Sequence, residues 1–170
     1  KFIHNSLLVG VKASGSKLVR FAHNNLKDLE NKILKFNSTQ KSILIIVESL
    51  YSMEGSIAPL KEINGICKKY NVELLVDEAH ALGILGPEGK GLSYGLSDEI
   101  TMITATFGKS FGSGGAFIAC NSEIGEHLIQ TSGAFRYTTA LSPALAAGAL
   151  KSLQKIKSKK EWGINLLNDS

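Results

Sequence analysis

The runs Ile43-Leu44-Ile45-Ile46-Val47 and Val72-Glu73-Leu74-Leu75-Val76 enclose the segment Pro59-Leu60-Lys61-Glu62-Ile63-Asn64-Gly65-Ile66-Cys67-Lys68-Lys69. Each flanking run is short, largely aliphatic and rich in β-branched residues, the pattern of a buried strand. In the enclosed segment Leu60, Ile63, Ile66 and Cys67 recur at helical spacing, and Pro59 suits a first helical turn. The unit therefore reads as strand, helix, strand, the building block of a parallel sheet.

Working outward, Ile100 to Thr106 and Ala116 to Cys120 form two more apolar runs. None of the four alternates with polar residues, which predicts strands covered on both faces. Leu26 to Phe36 repeats the amphipathic pattern, with Asn24 or Asn25 placed to cap it. From Pro143 to Lys160 an alanine-rich stretch reads as one long helix whose lysine-loaded end complements the helix dipole. The alternation predicts an α/β fold with a mostly parallel sheet flanked by helices.

The composition is that of a soluble globular domain: 170 residues, 44% hydrophobic, 20% charged, three prolines. The net charge of +4 is scattered and forms no basic stripe interleaved with aromatics, so no nucleic-acid partner is expected. No apolar run reaches the roughly 18 residues of a membrane span, and Lys1 to Leu8 lacks a signal-peptide pattern. The expectation is a cytoplasmic chain with no membrane contact. Cys67 and Cys120 lie in apolar segments without CxxC or His-rich surroundings, which predicts core thiols and no metal site. A start without Met and an end in Asn168-Asp169-Ser170 fit part of a longer polypeptide.

In open parallel sheets ligands bind beyond the carboxyl ends of the strands. Glu48 and Ser52 follow the first run, Asp77 and His80 end or follow the second, and Thr106, Lys109 and Ser110 follow the third. One rim thus receives carboxylates, an imidazole, hydroxyls and an amine. Two decoys fail on context. Asp77-Glu78-Ala79-His80 is a DEAH string of the helicase kind, but a nucleotide site also needs a phosphate loop. Gly108-Lys109-Ser110 has Ile103 where the opening glycine of GxxxxGK[ST] belongs, and it follows the acidic motif instead of preceding it. The glycines from Gly108 to Gly115 lead into another strand and not a helix, so they predict a hairpin-like return rather than a dinucleotide fingerprint. A lysine flanked by small residues suits imine formation with an aldehyde cofactor. A carboxylate such as Asp77, aimed at a pyridine nitrogen, keeps that nitrogen protonated.

Four strings carry a resemblance: Glu48-x-x-Tyr51-Ser52-Met53-Glu54-Gly55, Val76-Asp77-Glu78-Ala79-His80-Ala81-Leu82-Gly83, Gly86-x-x-Gly89-x-Gly91 and Thr106-Phe107-Gly108-Lys109-Ser110-Phe111-Gly112. In order and spacing they resemble the α-oxoamine synthases, pyridoxal 5'-phosphate enzymes of fold type I. The likeness extends upstream through His4-Asn5-Ser6-Leu7 and Arg20-Phe21-Ala22-His23-Asn24-Asn25, and downstream through Tyr137 to Ala144. The Arg20 and Thr106 strings are most similar to the 8-amino-7-oxononanoate synthase branch of the biotin pathway, while sister branches remain open.

The resemblance implies that Lys109 holds the cofactor as a Schiff base, Asp77 pairs with its ring nitrogen, and His4 stacks on the ring and touches substrate. It implies that Ser52 and His80 lie near the ring oxygen, Thr106 near the phosphate, Glu48 in support, and Thr138 or Thr139 near the cofactor of a neighbouring subunit in a homodimer. The implied reaction condenses an amino acid, L-alanine in the biotin branch, with an acyl thioester such as pimeloyl-CoA or its carrier-protein equivalent, releasing carbon dioxide. Residues 1–150 would be the central part of the cofactor-binding large domain, and 151–170 the start of a connector helix toward a small C-terminal domain. A non-catalytic, partner-binding paralogue is the alternative from another class, and the presence of Lys109 argues against it. His23 and His127 read as structural.

Overall fold

The computed structural model describes residues 2–37, 42–96 and 99–169. Its sheet has four strands in sequential order, β1 (Leu44–Glu48), β2 (Glu73–Asp77), β3 (Met102–Thr106) and β4 (Ala116–Cys120). The first three are parallel and β4 runs antiparallel to β3. The hairpin-like return expected of the Gly108–Gly115 stretch is therefore what joins β3 to β4.

Helix α1 (Asn5–Ala13) opens the described chain, and α2 (Leu26–Asn37) and α3 (Leu60–Tyr70) follow. Asn25 caps α2, its Oδ1 accepting from the Asp28 N–H at 2.9 Å. Asn71 ends α3 in the left-handed conformation that asparagine tolerates. Leu29 and Ile33 of α2 and Leu60, Ile63 and Cys67 of α3 pack with Ile45, Val47, Leu74 and Val76 of the sheet into one core. Each such side chain contributes roughly 1.5–3 kcal/mol by leaving water. Glu30 fastens the two helices, accepting from Lys69 Nζ and Tyr70 Oη at 2.7 Å each.

Coverage of both sheet faces holds only in part. Ile45, Val47, Leu74 and Val76 are sealed, but the intervening Ile46 and Leu75 are half-buried. In β4 Ala116, Ile118 and Ala119 are exposed, because this strand is the sheet's edge among the described residues and no helix seals it. Cys120 is accordingly half-buried and not a core thiol, whereas Cys67 is buried, which pushes its thiol pKa up to about 11.

Between β2 and β3 the described residues form turns and 3₁₀ structure, including Pro87–Gly89, and no α-helix is among them. After β4 come α4 (Ser122–Thr131), α5 (Gly133–Arg136), α6 (Pro143–Ser158) and α7 (Trp162–Asn168). The single helix expected to Lys160 stops at Ser158, with Lys159 out of helical conformation, and α7 starts anew. Helix α7 returns over the turn after β2: a side chain at Gly163 would meet the Ile84 carbonyl oxygen at 1.9 Å. None of these helices is long and apolar enough to cross a membrane.

Candidate active site

The register of the parallel strands builds the rim. Glu48, the last residue of β1, is level with Asp77, the last of β2, and Asp77 is level with Thr104 of β3. The chain then turns at each strand end, delivering Ser52, His80 and the Lys109 loop to the same edge.

Asp77 is buried, and its Oδ1 accepts from the Ala79 N–H at 2.9 Å, which fixes the carboxylate at the strand end. His80 is half-buried beside it. Burial, followed by the nearby Lys109 ammonium, holds the His80 imidazole below its usual pKa, with His4 adding to that and Asp77 opposing it. Asp77, Lys109 and His4 thus all lie within electrostatic reach of His80. At neutral pH this environment favours a neutral His80, able to donate from one ring nitrogen and accept at the other.

Glu48 is 1% exposed. Its Oε2 accepts from the Ser52 N–H at 3.2 Å, while Oε1 is buried without a hydrogen-bond partner. Burial pushes its carboxyl pKa up and Asp77 adds to the push, against the backbone N–H groups of Ser52 and His4. The neighbouring Tyr51 is raised to about 12 by burial and by Glu48.

Lys109 projects from an exposed loop whose backbone is pinned on several sides. Thr106 Oγ1 accepts from the Gly108 N–H at 3.1 Å and donates to the Gly115 carbonyl at 3.0 Å. Ser110 Oγ donates to the Leu82 carbonyl at 2.5 Å, and a side chain on Gly83 would collide with that hydroxyl. From α6, Ser152 donates to the Phe111 carbonyl at 2.7 Å, and Ser113 donates back to Leu145 at 2.6 Å. The backbone is held while the ammonium stays accessible.

His4 caps α1, its Nδ1 lying 2.8 Å from Ser6 Oγ and 3.3 Å from the Ser6 amide nitrogen. Thr138 and Thr139 lie in the exposed segment between α5 and α6, where Thr138 Oγ1 donates to the Ala134 carbonyl of its own chain. His23 sits between Phe2 and Tyr51, with Nε2 2.7 Å from Ser56 Oγ. A cavity of about 950 Å³ lies at the opposite end of the sheet, lined among others by Glu73, Thr101, Cys120 and His127.

The group that sequence reasoning missed is Glu78, which it quoted only as part of the DEAH string. It is buried and accepts from Ser49 Oγ at 2.7 Å and from the Ser93 N–H at 2.5 Å. Gly91, with a φ of +90° and no side chain, leaves room for that carboxylate, a packing that no local sequence pattern announces.

The model of the family described as aminotransferase class I and II matches residues 1–165. The chain belongs to this family. It is 39% identical over 171 residues to the 8-amino-7-oxononanoate synthase of Saccharophagus degradans, covering 99% of this chain and 42% of that one. It is also 39% identical over 157 residues to the 5-aminolevulinate synthase of Bradyrhizobium diazoefficiens, covering 91% and 38%. The structure of serine palmitoyltransferase from S. paucimobilis with a bound pyridoxal phosphate–myriocin aldimine superposes with a TM-score of 0.90 at 33% identity, over 98% of this chain and 43% of that one. All three relatives are α-oxoamine synthases, enzymes that depend on pyridoxal phosphate, and the class I and II aminotransferase fold is the expected mostly parallel α/β sheet. The chain spans about two fifths of the length of these relatives.

The rim fits that cofactor. Asp77 is a buried carboxylate with one oxygen left after its bond to Ala79, Lys109 is a free-standing amine on the next strand's loop, and His80 lies in the field of both.

Proposed function

We propose that the protein carrying this chain is a C-acyltransferase that joins an amino acid to an acyl thioester with loss of carbon dioxide, L-alanine and a pimeloyl thioester of coenzyme A or a carrier protein being the favoured pair. The single observation behind this reading is the grouping of Asp77, His80, Lys109 and His4 at one strand-end rim. The resemblance of the Arg20 and Thr106 strings to the biotin-pathway branch supports the choice of substrates. The equal identity to a 5-aminolevulinate synthase makes the sister reaction the second reading.

Pyridoxal phosphate supplies an aldehyde and a ring that accepts an electron pair. Lys109 Nζ would hold that aldehyde, and as a free amine would be the base for the substrate's α-proton. Asp77 keeps a proton on the ring nitrogen. The neutral His80, with Ser52, would hold the ring oxygen, and His4 would cover the ring and meet substrate. Thr106 faces the phosphate, and Glu48 holds the Ser52 turn. In the net reaction the acyl carbon joins the amino acid's α-carbon, the thiol departs and the carboxylate leaves as carbon dioxide. Residues 1–150 belong to the large domain in this reading, 151–170 lead toward a small domain, and Thr138 and Thr139 serve the partner's site in a cytoplasmic homodimer.

The test is an absorbance spectrum of the full chain with pyridoxal phosphate, before and after borohydride, alongside Lys109→Ala. The expected result is a visible band that reduction traps on Lys109 and that the variant lacks. A folded protein without the band overturns the reading. Carbon dioxide release from a panel of amino acids and thioesters then separates the two sister reactions.

A further inference from the structure

Glu78 is a buried carboxylate for which the proposed chemistry has no use. None of the ion pairs among the described residues involves it. A buried carboxylate is costly unless its oxygens are satisfied, and an apolar residue of similar size would fill the space more cheaply.

Its bonds run to every neighbouring segment. The Glu78 N–H donates to the Thr104 carbonyl of β3 at 2.7 Å, and the Glu78 carbonyl accepts from Ala81 at 3.0 Å and Leu82 at 2.9 Å. One carboxylate oxygen takes the Ser49 hydroxyl beyond β1, and the other takes the Ser93 N–H of the following loop. Ser49 in turn donates its N–H to the Asp77 carbonyl at 2.9 Å. Gly91 leaves the necessary room, since a side chain there would stand 3.0 Å from the carboxylate. Asp77 and His80 flank this knot. The Ala79 N–H that fixes the Asp77 carboxylate belongs to the turn that the knot closes.

We propose that Glu78 is a positioning residue: by tying the Asp77–Leu82 turn to Ser49 on one side and Ser93 on the other, it sets where the Asp77 carboxylate and the His80 imidazole point. This rests on the cofactor reading above. Glu78 touches neither cofactor nor substrate in it, and acts through Asp77 and His80.

The experiment uses the full chain as wild type, Glu78→Gln, Glu78→Ala and Ser49→Ala. It measures thermal unfolding, pyridoxal phosphate affinity, and the pH at which the lysine-bound cofactor band titrates. Glutamine retains an acceptor for Ser93 and offers a donor to Ser49, so its affinity should stay within about threefold of wild type with the band's titration unmoved. Alanine leaves the Ser93 N–H unpaired and the Ser49 hydroxyl with only the Asp77 carbonyl at 3.3 Å, and should weaken the cofactor on the order of tenfold and move the titration. Ser49→Ala should move both in the same direction by less, and it decides the matter if the alanine variant at 78 does not fold.

Unchanged affinity and titration in a folded Glu78→Ala, or in Ser49→Ala, overturn the proposal and leave a purely structural carboxylate. A glutamine variant as impaired as alanine also overturns it, because charge and not geometry would then be at work. If the wild type itself forms no lysine-bound band, the cofactor reading fails and takes this inference with it. A normal wild type with unaffected variants sinks the inference alone.

Discussion

The segment from β1 to β2 and the segment from β4 to α7 are built from similar apolar residues and meet opposite fates. In the first, Val47, Leu60, Ile63, Leu74 and Val76 lie between sheet and helices with almost no surface left. In the second, only Ala149 and Ile156 are buried, while Ile118, Phe135, Tyr137 and Leu150 expose 53%, 67%, 82% and 58% of their surface. An apolar face states that it is to be covered. Whether it is covered depends on a layer supplied from elsewhere in the chain, as α2 and α3 supply it for β1 and β2.

Three substitutions would break or sharpen this contrast. The largest effect belongs to Leu74→Ala in the sealed segment. It should cost about 2–5 kcal/mol by the loss of buried methyl groups and the cavity left behind, read from the urea midpoint at unchanged slope. A loss below about 1 kcal/mol would mean that this core is not the tight layer described.

Glu48→Gln probes the polar fault in the same segment, a buried carboxyl with one oxygen unpartnered. Because the folded-state pKa is raised, the stability linked to Glu48 is fully present below the ordinary carboxylate value and is lost as pH climbs through the folded value. Glutamine does not titrate. The variant should therefore gain on wild type as pH rises above the ordinary carboxylate value, as followed by unfolding midpoints across that rise. A pH-independent difference would show that Glu48 does not titrate above its unfolded value. The smallest effect is expected for Leu150→Ala on the exposed face of α6, within about 0.5 kcal/mol of wild type in the isolated chain. A larger loss would reveal that a further layer rests there.

The sequence was most legible where local pattern and final environment agree. The four apolar runs became the four strands with boundary shifts of at most two residues, and the glycines after Lys109 made the turn into β4. Rim residues could be placed because strand ends in a parallel sheet share an edge. Glu78 was illegible because its burial depends on Ser49, 29 residues earlier, and on Ser93, 15 residues later. The stop of α6 at Ser158 was missed because Lys157-Ser158-Lys159-Lys160 contains neither glycine nor proline to announce it. Exposure of β4 went unseen since an apolar run reads the same with or without a neighbour. Thr138 and Thr139 entered only through family likeness, and the one bond of Thr138 described above stays within its own segment.

Helix α6 has a mechanical consequence. Its 16 residues form a rod about 24 Å long, and two serine hydroxyl bonds join it to the loop after Lys109: Ser152 of the helix donates to the Phe111 carbonyl, and Ser113 of the loop donates to the helix's Leu145 carbonyl. A rod moves as a unit, so a displacement of its far end at Ser158, two residues before the Lys160 that reaches Glu88, carries along its axis to the loop that holds the amine. The lysine's address is thus set partly by a strut whose other end stands well away from it.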